Sequence, residues 1–238
     1  MGLIPLGEFY SSNPPRYPRK YMKLWDIPRQ GITPEPHCAD SIRTLLRHYR
    51  CSKDQSQDVL HRQLRRILMW GNNSPRWDGK FCRKCAQKRK WYPTLREFLN
   101  ELPKMKDLCQ ITRQLKTSAP PMFGQVSFGS KLLMFLHPDR FPVLDSNIVE
   151  LLSQRATFPP SAIPNRSERD RVNSHLEPSF LAARSFRGKN PQTFSWTKQN
   201  CHLYCTWVEA CRAIKLHGRA SSWKVSDIER LYFSCAEP

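Results

Sequence analysis

Acidic side chains are scarce in this 238-residue chain. Only 20 Asp and Glu stand against 39 Lys and Arg, for a formal net charge of +19. The positive charge is not gathered into one short signal. It recurs at Arg16, Arg19 and Lys20, at Arg62, Arg65 and Arg66, at Arg83, Lys84, Lys88, Arg89 and Lys90, and at Arg166, Arg169 and Arg171. Spread in this way, it suits a surface that follows the phosphate backbone of a duplex. Long apolar runs are missing as well, and no segment approaches the length needed to span a bilayer. The first thirty residues lack the apolar core of a signal peptide, and Met1-Gly-Leu-Ile-Pro-Leu does not fit a myristoylation pattern. The expectation is a cytoplasmic, nucleoid-associated protein with no membrane partner. Nine cysteines form an odd set in a chain without a secretory signal, so reduced thiols are expected.

Strand-like alternation is also nearly absent, and what replaces it is helical spacing. An all-α fold is expected, a bundle of about eight to ten helices. Residues 1–36 hold seven prolines with Phe9, Tyr10, Tyr17, Tyr21 and Trp25, which reads as a Pro-rich arm packed on the body. Residues 37–120 read as a helical, basic lobe. Helices are predicted over Cys38 to Arg50 and over Gln57 to Trp70, the latter from Val59, Leu60, Leu64, Ile67 and Leu68. Residues 71–75, with Asn72 and Asn73, read as a loop. Thr94 is expected to open a helix through Leu102, with Pro103 separating it from Met105 to Leu115. In the remaining region, 121–238, residues 155–174 read as a polar surface loop. Helices are then predicted over Leu176 to Phe186, Asn200 to Leu216 and Val225 to Phe233.

The most informative stretch is Phe128-Gly-Ser-Lys-Leu-Leu-Met-Phe-Leu-His-Pro-Asp-Arg-Phe-Pro-Val-Leu-Asp-Ser-Asn-Ile148. It sets Lys131 at the mouth of an apolar run stopped by Pro138, so the lysine is expected at the start of a short buried helix running to His137. Asp145, fourteen residues on, or Ser146 beside it, is expected to cap the next helix, through Ile148, Val149, Leu151 and Leu152. Helix starts are electropositive, which suits a neutral amine and an ionised carboxylate. A lysine nucleophile with a carboxylate partner uses those protonation states. The same residues also fit an ordinary cap and an ordinary solvated lysine. Capping does not oppose catalysis, because a capping carboxylate is held rigidly and stays charged.

This pairing of Gly129-Ser130-Lys131 with Pro142-Val143-Leu144-Asp145 resembles the helix-hairpin-helix DNA glycosylases, in particular the 8-oxoguanine glycosylase branch. There a Gly-x-Lys opens a helix and a Pro-Val-Asp follows a short connection. The closing stretch Trp223-Lys-Val-Ser-Asp-Ile-Glu-Arg-Leu-Tyr-Phe233 is similar to the last helix of a compact bacterial subfamily with that fold, which includes anti-phage enzymes acting on modified phage bases. The resemblance covers roughly the last half of the chain. Gln125-Val-Ser-Phe-Gly129 departs from the family's Leu-Pro-Gly-Val-Gly hairpin, and the Lys-to-Asp spacing is shorter than in the eukaryotic enzymes.

The resemblance implies two helical lobes around a DNA-binding cleft and an enzyme that extrudes a modified base from double-stranded DNA and excises it, working without a cofactor and as a monomer. Lys131 and Asp145 would be catalytic. Gly129 and Ser130, Asn72 and Asn73, and Arg83, Lys84 and Arg89 would touch DNA, with the two asparagines as candidates to fill the gap in the stack. Phe135, one turn after Lys131, would wall the base pocket, and Asp227, Arg230 and Tyr232 of the closing helix would offer base-edge or sugar contacts. Cys82-Arg-Lys-Cys85 supplies half a zinc site, and the remaining candidates His37, Cys38 and Cys51 lack clean ligand spacing, so no metal is expected there and the thiols read as lying in a basic loop. Cys201, Cys205 and Cys211, on a predicted helix, read as small core residues.

Overall fold

The computed structural model describes residues 60–62, 64–65, 67–68, 75–87, 91–160, 163, 165–186, 195–217 and 224–235. The Pro-rich arm, the helix expected over Cys38 to Arg50, and Asn72, Asn73 and Arg89 lie outside the described residues. Those residues are mostly helical, and no strand occurs among them. They divide at Pro138 into two compact units, one running up to His137 and the other from Pro138 onward.

In the first unit, residues 60–62, 64–65 and 67–68 are helical, with Leu60, Leu64, Ile67 and Leu68 buried as their spacing predicts. Helix α1 follows, Pro75–Gln87. It corrects the reading of Cys82 and Cys85 as loop thiols. Pro75 sits at the first helical position, where its missing N–H costs nothing. Phe81 and Cys85, one turn apart, are buried on the helix's described face. Phe81 stacks on His61 with ring centroids 5.1 Å apart and meets the edge of Phe123 at 5.9 Å. Trp77, Phe81, Cys82 and Cys85 do recur at helical spacing, but the Cys-x-x-Cys and the basic run drew the reading to a loop.

Helix α2, Trp91–Glu101, starts three residues before Thr94. Trp91 and Tyr92 are buried and pack edge to face, and Pro93 falls in the first turn, where proline is tolerated. Helix α3, Leu108–Ser118, is capped by Asp107, whose carboxylate accepts the N–H groups of Cys109 and Gln110. Helix α2 packs on α3. The turn after α3 carries Met122 at φ 77°, a left-handed conformation rare for a side chain of that size. Helix α4, Val126–Leu136, ends at His137, before Pro138.

In the second unit, residues 138–145 form a strap, a turn at 138–140 followed by irregular backbone at 141–145, that leads into α5, Ser146–Ser153. Helix α6, Arg166–Ser174, occupies what the sequence reads as a surface loop. Asn165 caps it by accepting the N–H of Glu168 at 2.9 Å. Val172 is its single buried residue, and Asn173 reaches out to accept the backbone N–H of Phe158, also at 2.9 Å. A helix with one buried residue shows no apolar stripe, which is why the sequence pattern did not reveal it. Helix α7, Glu177–Ala183, passes into a 3-10 turn, Arg184–Phe186. The 20-residue α8, Lys198–His217, packs on α7 and on α9, Val225–Cys235. Trp196, Tyr204, Trp207 and Tyr232 are all buried, with Trp207 and Tyr232 centroids 5.2 Å apart. This aromatic group is the centre of the second core.

Candidate active site

Lys131 is the sixth residue of α4, not the first of a shorter helix. Val126 and Phe128 carry the buried face one turn further back than expected, and Gly129 does not break it. A helix glycine costs only about 1 kcal/mol against alanine, well below what burying the flanking apolar side chains contributes. The argument from an electropositive helix start therefore does not apply to Lys131. The N–H of Gly129 donates to the carbonyl of Gln125 at 2.8 Å, and the Ser130 hydroxyl donates to the carbonyl of Ser127 at 3.1 Å. Both residues are buried. Gly129 and Ser130, expected to touch DNA, thus sit in the helix interior with these groups engaged. Phe135 is buried one turn beyond the lysine.

Ten of the eleven residues of α4 are buried, and Ser127 is the half-exposed exception. Lys131 itself is only 3% exposed. Side chains on an α-helix lean toward its N-terminus, over the turn before their own Cα. The Lys131 chain does this, and its Nζ donates to Ser127 Oγ at 2.9 Å. The amine also lies 5.9 Å from the centroid of the Phe128 ring. Its charge-bearing end is thus led back to the one position of the helix that is not closed over.

Asp145 lies in the second unit, and there the expectation of an N-cap holds. Its Oδ1 accepts the N–H of Asn147 at 3.1 Å and of Ile148 at 3.2 Å, and the side chain is half-buried. The strap that delivers it is fixed through its own carbonyls. Ser226 N–H donates to the carbonyl of Pro138 at 3.1 Å, and Arg212 Nη2 to that of Arg140 at 3.4 Å. The Tyr204 hydroxyl donates to Pro142 at 3.2 Å, and Trp207 Nε1 to Val143 at 2.8 Å. Phe141, Val143 and Leu144 are buried between these attachments. A segment outside helix and sheet has no ladder to pair its backbone, so each buried carbonyl needs a donor from elsewhere. Here α8 supplies three of them. Burial, aided by Cys205, raises the Tyr204 hydroxyl well above its ordinary range, so it remains a donor. Sequence reading missed Tyr204, Trp207 and Arg212 in this role, since only their membership of a helix was visible.

The remaining candidates separate. Arg83 and Lys84 are exposed on α1, between Cys82 and Cys85. Burial, then the neighbouring Cys82, pushes the Cys85 thiol up to about 12. No group of three or more ligating side chains gathers among the described residues, and His37, Cys38 and Cys51 fall outside them. Cys211 is buried, while Cys201 and Cys205 are half-buried. Asp227 accepts the N–H of Lys224 at 2.8 Å, the acidic half of a capping box at the start of α9. Burial raises its carboxyl above the ordinary value, against the opposing Lys224 N–H. Tyr232 is fully buried, packed on Phe158 and Trp207, and its hydroxyl donates to the carbonyl of Ala156 at 2.8 Å. The structure places it in the core, with its hydroxyl engaged. Arg230 lies in α9, and its side chain is outside the described residues.

No helix among the described residues is long and apolar enough to cross a membrane. Comparison of the chain with protein-family models, with curated proteins and with solved structures finds no match in any of the three.

Proposed function

We propose that this chain is a DNA glycosylase of the helix-hairpin-helix type that binds duplex DNA, extrudes a modified nucleotide and cleaves its bond to deoxyribose. The observation that carries the reading is Lys131. A buried amine on an otherwise uncharged helix, ending at that helix's one half-exposed residue, is costly to keep unless it is used. Asp145 adds a carboxylate whose position is over-determined by a cap and a pinned strap. The formal charge of +19 supplies affinity for the phosphate backbone.

In this reading Asp145 stabilises the cationic sugar as the C1′–N bond lengthens. The bonding pair leaves with the base, which takes up a proton. The Lys131 lone pair attacks C1′, and opening of the sugar ring gives a Schiff base that is hydrolysed or goes on to β-elimination. The substrate we favour is a bulky phage base of the glucosylated hydroxymethylcytosine type, which makes the role anti-phage defence in the bacterial cytoplasm. Polar, arginine-rich segments such as 165–171 suit hydroxyl-bearing groups better than a closed slot would. Single-turnover assays on phage DNA with glucosylated cytosine and on a duplex with 8-oxoguanine opposite cytosine test the choice. Release of the phage base with little release of 8-oxoguanine is expected. Robust 8-oxoguanine release with phage DNA left intact assigns a repair role instead, and binding without release from either assigns a non-catalytic DNA-binding protein.

A further inference from the structure

Resting on that reading, we propose that Ser127 is the positioning residue for the Lys131 amine. A lysine side chain carries a point charge on four rotatable bonds, and its lone pair is useful only when aimed. In α4 the aim is set by residues of the preceding turn. Ser127, four residues back on the same face, accepts an N–H of Lys131 at 2.9 Å, and Phe128, three residues back, lies beside the amine at 5.9 Å. Ser127 is itself braced, because the buried Ser130 hydroxyl donates to its carbonyl at 3.1 Å. With one N–H committed to the Ser127 oxygen, the lone pair of the amine is turned away from that oxygen. Ser127 is also the half-exposed residue of the helix, so the hydroxyl stands where an electrophile would approach. Gly129-Ser130-Lys131 draws attention to the residues next to the lysine, yet the geometry assigns the orienting role one turn earlier.

The test uses the full-length protein and a duplex containing one abasic site, so it does not depend on knowing the excised base. The ring-opened abasic sugar presents an aldehyde at C1′. The Lys131 lone pair adds to that carbon, a proton moves to the oxygen, and water leaves to give an imine. Borohydride then delivers hydride to the imine carbon and fixes a stable secondary amine. Trapping rates are compared for wild type, Lys131→Gln, Ser127→Ala and the shape-matched pair Ser127→Thr and Ser127→Val, alongside DNA affinity and far-ultraviolet helicity.

The expected result is trapping by wild type and none by Lys131→Gln. Ser127→Ala and Ser127→Val should trap about tenfold to a hundredfold more slowly with DNA affinity unchanged, as misaimed nucleophiles do, and Ser127→Thr should restore the rate. Equal rates for Thr and Val at 127, with Lys131→Gln silent, overturn the role of Ser127 and leave the glycosylase reading standing. Absence of trapping by wild type, or undiminished trapping by Lys131→Gln, removes Lys131 as the nucleophile and this inference with it. If Ser127→Ala loses helicity, the Thr and Val pair decides alone, because both are β-branched and differ by a hydroxyl against a methyl.

Discussion

Lys131 and Asp145 are fourteen residues apart, and they are held in opposite ways. The lysine has a local brace: Ser127 and Phe128, which meet its amine, lie on its own helix within four residues of it. The aspartate is fixed remotely, by a strap whose carbonyls are captured by side chains 62, 64 and 72 residues away. Local fixing needs only a helix, whereas remote fixing needs the whole second core to be formed. Disturbing the second core should therefore unsettle the carboxylate while leaving the hydrogen bond of Lys131 to Ser127 in place.

The largest effect is expected at Trp207. Truncation to alanine removes a fully buried ring and the donor to Val143, and should cost about 3–5 kcal/mol in denaturant unfolding. Trp207→Phe keeps most of the packing and orphans one buried carbonyl, at about 1–3 kcal/mol. By hydrogen exchange, Trp207→Phe should weaken protection of the Asn147 and Ile148 N–H groups that Asp145 caps and leave the Gly129 N–H of α4 unchanged. Matching losses at both places would break the comparison. Tyr232→Phe comes next, at about 1–2 kcal/mol for the orphaned Ala156 carbonyl. An effect near zero on stability would return Tyr232 to candidacy as a contact residue.

The difference between the two regions is also the difference between what could and could not be read from sequence. Apolar spacing and Asp145-Ser146 were enough to foresee α5 and its cap, because both signals lie within one turn. The register of α4 was missed by five residues, because Gly129-Ser130 looks like a boundary and only burial of Val126 and Phe128 overrules it. Helix α6 was read as a loop because a single residue, Val172, holds it down. The attachments of the strap to Tyr204, Trp207 and Arg212 leave no mark in the sequence, since pairing across more than sixty residues has no period. The burial of Tyr232 left no mark either, for the same reason.

Smaller effects sharpen the picture. Alkylation at neutral pH should modify exposed Cys109 readily and half-exposed Cys82 more slowly, sparing Cys85, whose thiol is held up to about 12, and buried Cys211. Rapid labelling of Cys85 in folded protein would show that α1 opens. The smallest effect is expected at Asp227. Its folded carboxyl titrates above the ordinary value, so the folded chain binds that proton more tightly than the unfolded chain. Wild-type stability should accordingly fall as pH rises from the unfolded value through the raised folded one. Asp227→Asn lacks that loss, so the difference should grow in its favour across that window and stay flat above it. A difference that grows toward lower pH instead would mean the cap to Lys224, and not burial, dominates.

Asp145→Asn tests the central claim most directly, because asparagine caps a helix about as well as aspartate and the substitution takes away little besides the charge. The account predicts stability within a few tenths of a kcal/mol of wild type, unchanged affinity for duplex DNA, and loss of base release from glucosylated phage DNA in single-turnover assays. Base release at the wild-type rate by Asp145→Asn would contradict it and leave Asp145 as a helix cap and nothing more.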